Sequence, residues 1–419
     1  MSMFKKFQPI ASSLAPNYTI WDVLIALKYL LPWNWGKLQD GKNSRKLERK
    51  FCEYMDSRWA ISFDSGRSGL YAILKCLGIK DYDEVILQAF TTVALSNVIQ
   101  WCGATPVYAD IDEKTYNMDP DKIEEKITGK TKAIIVQHTF GNPAQMDEIM
   151  EIAKKHNLFI IEDCAHSLGA KHKGKQVGTF GDAAFFSFGR DKVISSVSGG
   201  MVATADQELG KKIKEFRDQM PYPKRSLIAR QLLHPIITFK ALKLYYFFNI
   251  GKIIMYLSGK FGIITKAYSK EEKINRKPDN FPAKMPNALA RIALHQIKLI
   301  DKFNSHRIGI AKLYEEKLAK NENIILPKST QESKNIFLWY TILVQNKKEF
   351  IAKAKKHHII LGDWFPQAVG PIEVDLEKAG YKKGSCPIAE KVSLQCVNLP
   401  THHGIDRKDV EKVIKTLNC

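Results

Sequence analysis

Cysteine is scarce and disorganised in this chain. There are seven in 419 residues, and Cys52, Cys76, Cys102, Cys164, Cys386, Cys396 and Cys419 form no C-x-x-C pair. An odd, scattered set excludes a small disulfide-stapled fold and gives no support to a zinc knuckle or a dithiol redox site. Reduced thiols in a cytoplasm fit best. Internal repeats and low-complexity linkers are absent, and the N-terminal apolar run starts too late for a secretory signal. Acidic residues are missing altogether from Gln219 to Lys270.

What is present is the composition of an ordinary globular protein, 45% hydrophobic and 26% charged. At ~100–200 residues per domain the length suggests two or three domains. The net charge of +20 points to an anionic partner. Nine cations fall in the acid-free stretch: Lys224, Arg225, Arg230, Lys240, Lys243, Lys252, Lys260, Lys266 and Lys270. Between them lie apolar blocks such as Leu244 to Phe248 and Ile253 to Leu257. No part of this stretch stays uncharged for the ~18 residues of a transmembrane helix. It reads as a basic amphipathic segment suited to a lipid headgroup layer, with His234-Pro235 kinking or starting a helix. Trp21 to Leu31, followed by Trp33 and Trp35, is a milder case. The alternative for both is a helix packed on the protein body or on a dimer partner. A nucleic-acid partner is not expected, because the segment is too apolar and no reading motif accompanies it.

The remainder alternates strand and helix. Buried-type strands are expected at Glu84 to Leu87, Thr105 to Ala109, Ala133 to Gln137, Leu158 to Ile161, Ala183 to Phe188 and Gly200 to Ala203. Helices are expected at Ser68 to Leu77, Thr92 to Trp101 and Met146 to His156. This order predicts crossover units and a mainly parallel sheet, an α/β fold. A long helical pattern runs from Asn287 to about Lys320. Beyond it strands (Phe337 to Val344, Ile359-Ile360) mix with helices, the last at Asp406 to Leu417.

Ligands of such a sheet bind at the carboxyl ends of its strands. Ser65-Gly66-Arg67-Ser68 is a turn into a helix that can cradle an anion. Asp163, just after a buried strand and three residues before His166, is either a helix cap or the partner of a bound cation. Lys192 follows another buried strand in a turn with Ser187, Ser198, Gly199 and Gly200; it is a solvated loop lysine or a Schiff-base lysine. An amine, a cation-binding carboxylate and two phosphate-binding turns together match the aldehyde, ring nitrogen and phosphate of pyridoxal phosphate. His357-His358 and His402-His403 have no metal spacing, and no metal site is expected.

Residues 36–220 and 280–419 resemble a DegT-type sugar aminotransferase, a pyridoxal-phosphate enzyme of the aspartate aminotransferase fold type. The resemblance rests on four motifs in order: Ser65-Gly66-Arg67-Ser68-Gly69-Leu70, Glu162-Asp163-Cys164-Ala165-His166 to Ala170, Ser187-Phe188 through Lys192 to Gly199-Gly200, and Pro387-Ile388-Ala389-Glu390 to Leu399-Pro400. It implies a three-layer α/β/α large domain with a smaller C-terminal α+β domain. Lys192 would bear the cofactor and shuttle protons, Asp163 would pair with the ring nitrogen, and His166 would sit near the phenolic oxygen. Ser65, Gly66, Arg67 and Ser187 would hold the phosphate. Three positions depart from the pattern. Thr92 stands where an aromatic usually stacks on the cofactor, with Phe90 two residues earlier as a substitute. Arg67 replaces a Thr. Phe281 to Met285 is a degraded form of the partner-subunit motif, lacking its Asn at Pro282.

The resemblance further implies a homodimer and an aminotransferase that moves an amino group from glutamate to a keto-sugar on a nucleotide or lipid carrier. A non-sugar ketone and a non-catalytic membrane-associated regulator are the alternatives. The expected layout is an N-terminal arm (1–40), a large cofactor-binding domain (41–218), a basic insertion (219–275) and a long helix with the small domain (276–419). The expected location is cytoplasmic, peripheral at an anionic membrane surface through 219–270.

Overall fold

The computed structural model describes residues 7–14, 17–266 and 268–418. Cys419 and the first six residues of the arm lie outside them; the other six cysteines are free thiols.

The chain enters through helix α1 (Ile20–Leu30), whose first turn is fixed by a capping box. The Asp22 carboxylate accepts the Thr19 N–H at 2.8 Å and the Gln296 amide at 2.7 Å, so the cap also ties the arm to the body. Strand β1 (Trp59–Phe63) leads into helix α2 (Gly66–Cys76). Then follow β2 (Glu84–Gln88), α3 (Val93–Trp101), β3 (Thr105–Ala109), β4 (Thr131–Gln137), β5 (Phe159–Asp163), β6 (Ala183–Ser187) and β7 (Gly200–Thr204). These seven strands form one sheet in the order β1-β7-β6-β5-β4-β2-β3. Only β7 runs antiparallel to its neighbours. The central strands are buried almost end to end because helices cover the sheet, which is why they read as runs of Ile, Val, Ala and Phe. The molecule is thus an α/β protein with a mainly parallel central sheet.

A second core lies around a small antiparallel sheet of Ile324–Ile325, Tyr340–Val344 and Cys396–Leu399. Tyr314, Ile342, Val397, Val410 and Val413 fill it. The N-terminal arm reaches this region, where Ile10–Ala11 pairs in parallel with Ile359–Ile360.

Three expectations need correction. The pattern from Asn287 to Lys320 is two helices, Asn287–Gln296 and α6 (Ile300–Leu318), separated by a 3-10 turn at Ile297–Leu299. The basic segment contains α4 (Arg225–Lys243) and α5 (Ile250–Lys260). Of the two readings of His234-Pro235, a helix start and a kink, the start is excluded, because α4 runs through both residues. Nor is α4 a surface helix throughout: Ile228, Leu232, His234, Ile236 and Ala241 are buried, and α1 packs against it. Only α5 keeps its large apolar residues outward. Its two buried residues are Gly251 and Ser258, one face seven residues apart. Gly251 lies so close to α4 that a Cβ would fall 2.0 Å from the Ala241 carbonyl oxygen. No helix among the described residues is long and apolar enough to cross a membrane.

Candidate active site

The chemistry-bearing residues gather at the carboxyl ends of β1, β2, β4, β5 and β6. Asp64 directly follows strand β1, and Ser65 caps α2 by accepting the Ser68 N–H at 3.2 Å. The Asp64 carboxylate accepts the Ser68 hydroxyl at 2.6 Å, and burial pushes it up to about 6. This turn is pressed against the start of β7: a Cβ on Gly200 would fall 2.4 Å from the Ser65 carbonyl carbon. Gly66 likewise lies close to the end of β6, where a Cβ would stand 3.4 Å from the Ser187 Cβ. The helix N-terminus, Gly66, Arg67 and Ser187 therefore lie together as one cradle, the kind of arrangement that binds phosphate.

Lys192 follows β6 and is half-buried. Burial lowers its amine to about 8, while the charges of Asp163 and Asp191 work the other way and Arg67 adds to the lowering. A large share of neutral amine near neutral pH is what a carbonyl-capturing lysine needs. The backbone around it is braced from a distance. The Asn17 amide donates to the Lys192 carbonyl, and the buried Arg307 of α6 donates to the Val193 carbonyl at 2.9 Å. Arg307 also holds Asn304 and Asn17 at 2.8 and 3.1 Å.

Asp163 ends β5. Burial pushes its carboxyl up, opposed by the Ala165 N–H and by the Lys192 charge. The Ala165 N–H occupies one oxygen at 2.9 Å. Next to it, Glu162 is consumed structurally: it accepts the N–H groups of Gly178, Phe180 and Gly181 and the His138 ring N–H. His138 Nδ1 accepts from Ala144, so its Nε2 is the donor. His166 stacks on Phe140 and Phe365 at centroid distances of 5.7 and 6.2 Å. Burial, and then the Lys192 charge, hold its imidazole well below the ordinary range, so it is neutral. Its Nδ1 is buried without a partner among the described residues.

Thr92 caps α3, and its hydroxyl meets the Tyr268 hydroxyl at 2.5 Å. Phe90 is fully buried and packs edge-on against Phe140 and Phe365, the two rings stacked on His166. His402 bonds the Ala11 carbonyl, His403 stacks on Phe303 and His358 on Tyr246, all away from this cluster.

A buried orphan imidazole nitrogen, an anion cradle, a carboxylate with a spare oxygen and an amine of lowered basicity fit the polar groups of pyridoxal phosphate. Comparison with known proteins decides the family: the model for the DegT/DnrJ/EryC1/StrS aminotransferase family matches residues 26–226 and 259–418. The chain belongs to this family. The match passes over residues 227–258, most of α4 and most of α5. The chain is 31% identical to the GDP-perosamine synthase of Caulobacter vibrioides over 375 residues, 89% of this chain and 88% of that one. It is 30% identical to the dTDP-3-amino-3,6-dideoxy-alpha-D-galactopyranose transaminase of Aneurinibacillus thermoaerophilus, over 95% and 94% of the two chains. The fold matches the aminotransferase from Psychrobacter cryohalolentis with a TM-score of 0.74, covering 96% of this chain and 97% of that one at 24% identity. This DegT-family chain is accordingly a pyridoxal-phosphate-dependent aminotransferase of that fold.

The sequence pointed to the strand-end residues of the DegT site but not to Asn17, Arg307, Tyr268 or Glu272. Each acts on a residue more than a hundred positions away, and nothing local marks it. An arginine on a helix face that is otherwise core was the one available signal for Arg307.

Proposed function

We propose that this aminotransferase moves an amino group from glutamate to the ketone carbon of a keto-sugar held on a nucleotide or lipid carrier, working as a homodimer. The observation that carries the reading is the half-buried, weakly basic Lys192 set among Asp163, His166 and the anion cradle. Bound pyridoxal phosphate would supply an electron sink. Asp163 would hold a proton on the ring nitrogen, neutral His166 would offer its free Nδ1, and Ser65, Gly66, Arg67 and Ser187 would hold the phosphate. Lys192 would first hold the cofactor and then move the proton between donor and acceptor carbons. Glutamate leaves as its 2-oxo acid and the ketone leaves as an amine. The relatives named for nucleotide-linked amino sugars support a sugar acceptor.

The test is a screen of nucleotide-linked and lipid-linked keto-sugars with glutamate, following release of the oxo acid. Turnover of at least one class is expected, with none in Lys192→Ala. Turnover of non-sugar ketones only would overturn the sugar assignment, and full activity in Lys192→Ala would overturn the site.

One observation favours a membrane-facing setting at the cytoplasmic surface. Two of the helices packed on α4 turn large apolar residues outward: Ile20, Trp21, Leu24 and Leu27 on α1, and Ile253, Tyr256 and Leu257 on α5. Phe248 and Phe261 beside α5 are 81% and 70% exposed. Eight of the nine cations between Gln219 and Lys270 are exposed, Lys243 and Lys260 on α4 and α5 themselves. Paired apolar and cationic surface matches an anionic lipid layer.

A further inference from the structure

The acid-free stretch ends at Glu271 and Glu272, and Glu272 does not turn to any of the nearby lysines. Its side chain is 8% exposed and forms an ion pair with Arg67 of the phosphate cradle. Its second oxygen accepts the Ser269 N–H at 2.7 Å. The Arg67 guanidinium also lies over the Tyr268 ring, 5.7 Å from the centroid. Tyr268 in turn meets Thr92, the cap of α3. One short stretch of the chain thus touches the cradle at α2 and the strand end at α3.

The stretch is fastened independently of Arg67. The Asn97 amide donates to the Glu272 carbonyl at 2.6 Å, and the Trp101 indole N–H donates to the Asn275 carbonyl at 3.2 Å. Lys273 pairs with Glu373 at 3.3 Å. On the other side Thr265 receives the Arg190 guanidinium, two residues before Lys192. A segment held at both ends over the cradle is a strap.

We propose that residues 265–266 and 268–275 clamp the phosphate end of the cofactor, with Glu272 and Tyr268 as positioning residues that aim Arg67. This rests on the aminotransferase reading of the site. An arginine offers five donors in a fixed fork, so a carboxylate on one edge leaves the other edge for a phosphate. Left free, the long side chain would have to be ordered when the phosphate arrives. Fixed beforehand by Glu272 and by the Tyr268 ring, it loses little freedom on binding, which slows cofactor release. The Tyr268 ring also fills space beside Thr92, which has no ring of its own.

The experiment uses the cofactor-loaded protein. Release of pyridoxal phosphate after dilution is followed by its absorption band in wild type, Glu272→Gln, Tyr268→Ala and Tyr268→Phe, with inorganic phosphate as competitor. Glu272→Gln and Tyr268→Ala should release the cofactor at least about tenfold faster, and phosphate should compete more weakly when the emptied proteins are reloaded. Tyr268→Phe keeps the ring under Arg67 and should stay within about threefold of wild type. Unchanged release in the first two variants, with unchanged thermal unfolding, overturns the clamp. Should a variant fail to fold, trypsin decides on the wild-type chain: cleavage at Lys266, Lys270 and Lys273 should be slower with cofactor than after its removal, and equal rates overturn the proposal. A wild-type protein that takes no cofactor onto Lys192, shown by borohydride trapping, would instead overturn the reading of the site, so the two failures are distinct.

Discussion

Lys192 titrates near 8 because burial disfavours its ammonium form more than Asp163 and Asp191 restore it. Capture of an aldehyde needs the neutral amine. The neutral fraction of a group with that pKa grows about tenfold between pH 7 and pH 9 and then levels off. Stopped-flow loading of the emptied protein with pyridoxal phosphate should follow that curve; a rate still climbing through pH 10 would mean an ordinary solvated lysine. Asp163 belongs to the same scale. Burial raises its carboxyl, and a protonated ring nitrogen alongside would restore the charged form. Asp163→Asn keeps size and the bond to Ala165 but removes the charge. It should still load cofactor, with turnover reduced by ~10²–10⁴, the range for positioned acid–base groups. A rate within twofold of wild type would leave Asp163 as a cap alone. Both residues were legible in the sequence because Asp163 closes a buried apolar strand and Lys192 comes shortly after another, where an amine or a carboxylate has no packing role. Glu272 and Tyr268 were not. A tyrosine and a glutamate at the end of a basic loop look solvated until the fold brings Arg67 and Thr92 to them.

At the level of elements, periodicity located most boundaries well. Met146–His156 and Thr105–Ala109 stand as the apolar spacing predicts. Spacing cannot say what an apolar face packs against, and that is where the reading of the basic segment diverged. In α4 the pattern Ile228, Leu232, Ile236 marks a core face, and α1 covers part of that helix. Pro235 is tolerated inside it at the loss of one backbone hydrogen bond. In α5 the same kind of pattern faces out, because small residues are what the neighbour accepts: Gly251 and Ser258 make the buried side. The split at Ile297–Leu299 was equally hidden, since a single 3-10 turn hardly disturbs an apolar stripe. Antiparallel β7 reads like any other strand; its direction follows from its neighbours alone.

For the whole molecule, the outward faces of α1 and α5 have a large cost if they remain in water. Each Leu, Ile or Phe side chain that becomes fully buried contributes ~1.5–3 kcal/mol. Each Lys or Arg near an anionic surface contributes ~1 kcal/mol. A few of each outweigh the cost of ordering the protein on a bilayer, so binding should be stable yet reversible by salt. Lys240, Lys243 and Lys252 can reach headgroups while their stems remain apolar; Lys252 already lies along the Tyr246 ring at 4.3 Å. The protein should therefore float with vesicles containing anionic lipid at low salt, much less with neutral vesicles, and less again in high salt. Ile253→Ser with Leu257→Ser should weaken flotation, as should Trp21→Ser with Leu24→Ser, without changing the cofactor spectrum, because neither pair touches the strand ends. The competing occupant is a second copy of the chain. In that case the same substitutions would leave flotation absent throughout and instead shift the sedimentation of the lipid-free protein from dimer to monomer, and the anionic membrane would be the wrong partner.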